Sequence, residues 1–146
     1  MRIKTLLLGV AFAAAASSPA TSATLGPNLV SNGGFETLTN GIGQIDHNTT
    51  AMGWTSAGYN FVFDAGTADG TGVNGAYGNI SLWGSNNGGA NLFTASPTGG
   101  NFVAADGAYE VAPIQQVLTG LVVGKDYIVS FHWAAAQQAG YDGPTT

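Results

Sequence analysis

The chain predicts an all-β protein built as a sandwich of two antiparallel sheets, and three observations carry that expectation. Glycine recurs 23 times in 146 residues, too often for stable helix interiors. After residue 23 no window repeats its apolar side chains with a helical period over a useful length. Short apolar runs rich in β-branched and aromatic residues recur instead, bounded by Gly, Asn, Asp and Pro, as strands joined by turns require.

The first segment is of a different kind. Arg2 and Lys4 are two of the three cationic residues, and an unbroken apolar run follows at 6–16. A basic start, an apolar run and then small residues form the pattern of a secretory signal peptide. We expect a signal-peptide helix over residues 1–23, cut between the small residues that end at Ala23, with Ala20 an alternative point. The run is 11 residues long, against roughly 20 needed to cross a hydrocarbon core. Removal and export are therefore expected, leaving one domain over residues 24–146, a length able to bury a real core.

Within that domain the expected strands are 28–35, 59–63, 79–83, 101–105, 113–118 and 126–134. The last is the clearest: Tyr127, Val129, Phe131 and Trp133 alternate with Ile128, Ser130, His132 and Ala134, which implies one strongly buried face. Tyr127, Phe131 and Trp133 are accordingly assigned to the core. Residues 113–118 are its expected antiparallel partner, joined through the Gly120–Gly124 region. Long Gly/Asn/Thr-rich loops are expected at 65–78 and 84–100, and loops of such length in a small domain are either functional or mobile. Residues 140–146 are loop chemistry with no strand after them. About six strands against the roughly eight of a jelly roll suggest a chain that stops before its fold is complete.

Composition narrows the partners. All eight acids lie in residues 24–146 with Lys125 as the single cation, a formal charge of −7. Nucleic acid is excluded as a partner on that balance, and an anionic membrane surface is disfavoured because no basic cluster exists to exploit its potential. Neutral glycans and metal cations remain open. The chain has no cysteine, so neither disulfides nor thiolate metal sites contribute.

The residues Asn28-Leu29-Val30-Ser31-Asn32-Gly33-Gly34-Phe35-Glu36, followed by Gly53-Trp54, resemble the opening of galactose-binding-like jelly-roll domains, which many carbohydrate-binding modules share. Further along come Ile80 to Gly84, then Gly99 to Gly107, then Ile114-Gln115-Gln116. With Gly120 to Gly124 and Tyr127 to Gln138, these make the chain similar to exported bacterial proteins that carry a PEP-CTERM sorting tail. The resemblance implies a galactose-binding-like jelly-roll β-sandwich at the cell surface or in an extracellular polysaccharide matrix. It also implies membrane anchoring through a C-terminal tail of Val-Pro-Glu-Pro type, for which this sequence holds no residues. Its last strands and sorting tail are expected to be missing.

In related sugar-binding modules the acid after such an opening strand can ligate a structural calcium, which makes Glu36 the candidate metal ligand. Calcium needs six to eight hard oxygens, so Glu36 would need partners, and a surface acid at a strand end is the competing role. Asp64 and Asp69 lie in a Gly-rich loop but miss the alternating oxygen spacing of a calcium loop and are expected to be turn residues. Asp106 and Glu110 form the one compact carboxylate pair. Such a pair can cleave a glycoside, yet no supporting motif accompanies it, so a glycosidase-like jelly roll ranks last. His47 and His132 stand apart, without zinc spacing. No nucleophile elbow occurs. The stretch from Gly70 to Gly75 matches a dinucleotide fingerprint in letters only, since no βαβ unit surrounds it.

Trp54, Tyr59, Trp83, Tyr109 and Tyr141 remain as the handle on ligands. Exposed rings stack on sugar faces while Asn and Gln meet hydroxyls, and packing into the core is the weightier alternative for each. Trp54, Tyr59, Trp83 and Tyr109 are the candidate carbohydrate-binding residues. The expected function is non-enzymatic: binding or structural work outside the cell, with a carbohydrate-binding module for a neutral glycan as the alternative.

Overall fold

The computed structural model describes residues 25–86, 88–89 and 96–141; the expected signal-peptide helix lies outside them. The described part is all-β, without helix, and holds two small antiparallel sheets. Strands β1 (Gly43–Gln44), β2 (Asn60–Phe63) and β5 (Phe102–Ala105) form one sheet with β2 in the middle. A hairpin of β3 (Val73–Gly75) and β4 (Gly78–Ile80) forms the other.

The central position of β2 follows from its sequence. Asn60-Phe61-Val62-Phe63 is buried at every residue, as only a strand covered on both faces can be. Phe61 and Phe63 share one face, with Phe61 opposite Ala104 and Phe63 opposite Phe102. The Phe63 and Phe102 rings stack at 5.6 Å and 11°, a cross-strand aromatic pair of the kind that adds about 0.2–1 kcal/mol to a sheet. Tyr59, Phe61, Phe63, Ala68, Val73, Ile80 and Leu82 form the core cluster, with Ile42, Phe102 and Ala104 packed against it. On the other face the Asn60 amide is satisfied by Ser56 Oγ and the Ala112 carbonyl, so its burial leaves no donor stranded.

The expected strands at 59–63 and 101–105 are therefore present, and 79–83 is present in part as β4 with an isolated bridge at Leu82. The strand expected at 28–35 is instead a turn. Its reason is Asn32: the side-chain amide accepts from Thr37 N–H and donates to the Thr37 carbonyl, both at 3.0 Å, and to the Met52 carbonyl at 3.1 Å. A side chain thus supplies what a neighbouring strand would. The turn closes with Phe35 N–H on the Asn32 carbonyl at 3.0 Å and with φ of 57° at Phe35, uncommon for a bulky residue. The loop expected at 65–78 contains β3, and β1 was hidden in a Gly-Gln pair too short to show a period.

The largest correction falls at 113–136. The expected pair of 113–118 with 126–134 does not form; 113–118 contributes one bridge, Gln115 to Thr55, with reciprocal N–H to carbonyl bonds of 3.0 Å. Among the described residues none of 116–136 belongs to a strand or bridge. Tyr127, Phe131 and Trp133, expected in the core, are 46%, 75% and 81% exposed. The core cluster is filled by β2, the hairpin and β5, and the alternating segment has no sheet beside it to cover its apolar face. Residues 137–141 return to the body of the fold: Trp83 N–H meets the Gln137 carbonyl at 2.7 Å and Ala139 N–H meets Ser81 at 2.8 Å.

Candidate functional site

Three tyrosines from three separate stretches meet at one end of β2. Tyr59 precedes the strand and is buried, with its ring edge-on to Phe61 at 4.6 Å and 82°. Tyr109 meets it edge-on at 5.4 Å and 87°, and Tyr77 lies 5.9 Å away at 42°. Tyr77 and Tyr109 complete the triangle at 5.8 Å and 73°. Tyr59 is the base, while Tyr77 and Tyr109 face solvent at 64% and 47% exposure.

Each ring is held by its local backbone. Tyr77 occupies the two-residue loop between Gly75 and Gly78, a paired position in the hairpin. Gly75 admits no side chain: a Cβ there would stand 2.5 Å from Phe61 Cε1 and 2.7 Å from Gln44 Oε1. Ala76 N–H donates to the same Gln44 oxygen at 2.8 Å, which ties the loop to β1. Tyr109 sits in a turn capped by Asp106, whose Oδ1 accepts from Ala108 and Tyr109 N–H at 2.8 and 2.9 Å, a side-chain cap of the type Asp favours. Tyr59 N–H bonds the Glu110 carbonyl at 2.9 Å and Asp106 N–H bonds the Tyr59 carbonyl at 3.2 Å, so the turn is stitched to the strand it decorates.

The polar edge of the cluster is Glu110, whose Oε1 accepts from the Tyr77 hydroxyl at 3.1 Å. Hydrogen bonding with Tyr77, then desolvation and the Glu110 charge, pushes the Tyr109 phenol above its ordinary value. Burial raises Tyr59 as well, with Tyr141, Asp106, Glu110 and Tyr77 adding to the same direction. Both phenols stay protonated at neutral pH and keep an O–H to donate.

Of the four sequence candidates, Tyr59 and Tyr109 come together here. Trp54 and Trp83 make no ring contact with them among the described residues. Trp54 is half-buried against Phe35 at 5.0 Å and donates its Nε1–H to the Asn32 carbonyl at 2.9 Å. Trp83 donates Nε1–H to the Tyr141 carbonyl at 3.2 Å and packs the returning chain. Tyr77 escaped the sequence reading; its signal was a Gly-Ala-Tyr-Gly loop flanked by Val73-Asn74 and Asn79-Ile80, which places an aromatic ring at a hairpin tip.

The acids have distinct posts. Glu36 Oε1 accepts Asn101 N–H at 2.8 Å, and Asn101 Nδ2–H returns to the Phe35 carbonyl at 2.8 Å, so this carboxylate braces the start of β5. A calcium ion at Glu36 would need most of its oxygens from backbone and amide carbonyls, since no group of three or more His, Cys, Asp or Glu stands together among the described residues. Asp64 is an exposed turn residue, as expected. Asp69 also lies in a turn, but its side chain is buried, and it accepts from Asn86 Nδ2–H at 3.1 Å and Asn86 N–H at 3.4 Å.

An open cleft of about 360 Å³ lies elsewhere, lined by Gly53, Thr55, Gln115, Gln116 and Val117. Of its two glutamines, Gln116 spends its side chain on Ser31 and Gly53 backbone. No protein-family model, no curated protein and no solved structure matches the chain.

Proposed function

We propose that this chain is a non-enzymatic exported protein of the cell surface or extracellular polysaccharide matrix, and that it holds neutral glycan through the Tyr77–Tyr109 face. The observation that carries the reading is the tyrosine triangle itself: two exposed rings propped on a buried third, with the Glu110 carboxylate at their rim. Aromatic faces stack on the C–H faces of pyranose rings, and a carboxylate accepts from sugar hydroxyls. The acidic surplus and single cation of residues 24–146 favour uncharged over acidic sugars.

The finer parts of this reading stand on the resemblance: a galactose-binding-like jelly roll, kinship with PEP-CTERM proteins, and a structural calcium at Glu36. The glycosidase alternative draws little support, because Asp106 Oδ1 is engaged in capping its own turn.

The test is titration of the purified chain against a panel of neutral and uronic oligosaccharides. Saturable binding of a neutral member, weakened by Tyr77→Ala and Tyr109→Ala by about 1 kcal/mol each and untouched by Trp83→Phe, supports the proposal. Binding that survives loss of both tyrosines, or release of reducing ends that depends on Asp106 or Glu110, overturns it.

A further inference from the structure

The exposed alternating segment is self-complementary, and this singles out its partner. Val129, Phe131 and Trp133 are each at least 75% exposed, as is Ile128, and Tyr127 is 46% exposed; in an extended chain Tyr127, Val129, Phe131 and Trp133 fall on one face. Contiguous exposed apolar surface of this kind marks an interaction site, and a strand-forming sequence left without a strand partner is open to pairing with another chain. The segment carries no proline and no glycine, so nothing in it resists pairing.

We propose that residues 127–133 pair antiparallel with the same residues of a second copy of this chain, with Ser130 on the two-fold axis. In that register Tyr127 stands opposite Trp133 and Val129 opposite Phe131, each pair occurring twice by symmetry. All four apolar side chains then find apolar partners on one face, the pairing that stabilises sheets. Sliding the register by one pair breaks this: centring on Val129 sets Lys125 opposite Trp133, and centring on Phe131 sets Tyr127 opposite Ala135. On the other face Ile128 meets His132, and Asp126, opposite Ala134, lies diagonal to His132 of the second copy. The one acid of the strand thus falls beside its one imidazole donor, a complementarity that fixes orientation. A two-fold interface of this type closes at two copies and does not propagate.

Because the chain has no cysteine, the register can be read by cross-linking. In the proposed pair the two Ser130 Cα atoms stand about 4.5–5.5 Å apart, within the span a disulfide bridges. Two Ala134 Cα atoms would stand roughly 27 Å apart, eight residues at the strand rise. Ser130→Cys and Ala134→Cys variants of the full chain are oxidised side by side, so that any association through other segments is common to both. Ser130→Cys is expected to give at least about tenfold more disulfide dimer than Ala134→Cys, given the geometric limits on the bond. Phe131→Lys added to Ser130→Cys should abolish the excess while leaving the thermal transition in place, since Phe131 is 75% exposed and exposed substitutions change stability little. Equal cross-linking of the two variants, as indiscriminate association would give, overturns the proposal. So does a chain that stays monomeric because another protein or another segment covers this face.

Discussion

The Gln116 side chain treats Ser31 as a neighbouring strand would: its Oε1 accepts the Ser31 N–H and its Nε2–H meets the Ser31 carbonyl, both at 2.9 Å. The same nitrogen reaches the Gly53 carbonyl at 3.0 Å. One amide therefore ties Ser31 to the two stretches, at 53 and 116, that the Thr55–Gln115 bridge already joins. Replacing Gln116 with Glu keeps an acceptor for Ser31 N–H and removes both donors. We expect Gln116→Glu to lower stability by about 1–2 kcal/mol, read as a lower urea midpoint at unchanged slope.

Gly75 controls the placement of Tyr77. Gly75→Ala puts a methyl group 2.5 Å from the Phe61 ring, so the hairpin must move off β2 or the ring must turn. The expected cost is about 1–3 kcal/mol for overpacking. Glycan affinity should fall with it, because Tyr77 is carried on that loop; a binding titration at a temperature where the variant remains folded checks this.

Alkaline pH should loosen the tyrosine cluster in a defined direction. Tyr109 and Tyr59 have folded-state values raised above the unfolded one. For a raised group the stabilisation is complete below the unfolded value, near 10 for tyrosine. It is lost as pH climbs from there toward the folded value, since the unfolded chain releases protons that the folded chain retains. Of the five tyrosines, two are expected to ionise late in an ultraviolet titration of the folded protein, and Tyr109→Phe should remove one of them. Stability should be flat in this respect below pH 10 and fall above it.

Two aromatic residues with similar sequence surroundings should behave oppositely. Phe61, fully buried in β2, is expected to cost about 3–5 kcal/mol on change to Ala. Trp133, 81% exposed, should alter monomer stability by less than about 0.5 kcal/mol on change to Ser. Denaturation measured at concentrations below self-association separates the two.

The contrast between Phe61 and Trp133 marks what was legible in the residues. Both stand in runs that satisfy strand chemistry, but period and composition describe only the strand itself. Whether a strand finds a neighbour depends on pairings distant in sequence, and local alternation carries no information about those. For the same reason 101–105 could be named as a strand but not as the partner of 60–63. Asn32 and Gln116 were opaque for another reason: an amide that replaces a strand leaves no periodic trace. At the site, Tyr59 and Tyr109 were found by residue type alone. Tyr77 needed recognition that Gly75 and Gly78 enclose a two-residue hairpin loop, and the separation of Trp54 and Trp83 from the cluster needed the folded chain.

Whether the Tyr77–Tyr109 face receives a neutral sugar can be read from its own rings. The measurement is of the tyrosine ring proton resonances, followed by NMR as a binding neutral oligosaccharide is added to saturation. Shifts and sugar-to-ring Overhauser contacts are expected at Tyr77 and Tyr109, with the Tyr127 and Tyr141 rings unmoved. Saturable glycan binding that leaves the Tyr77 and Tyr109 signals in place would contradict the proposed site.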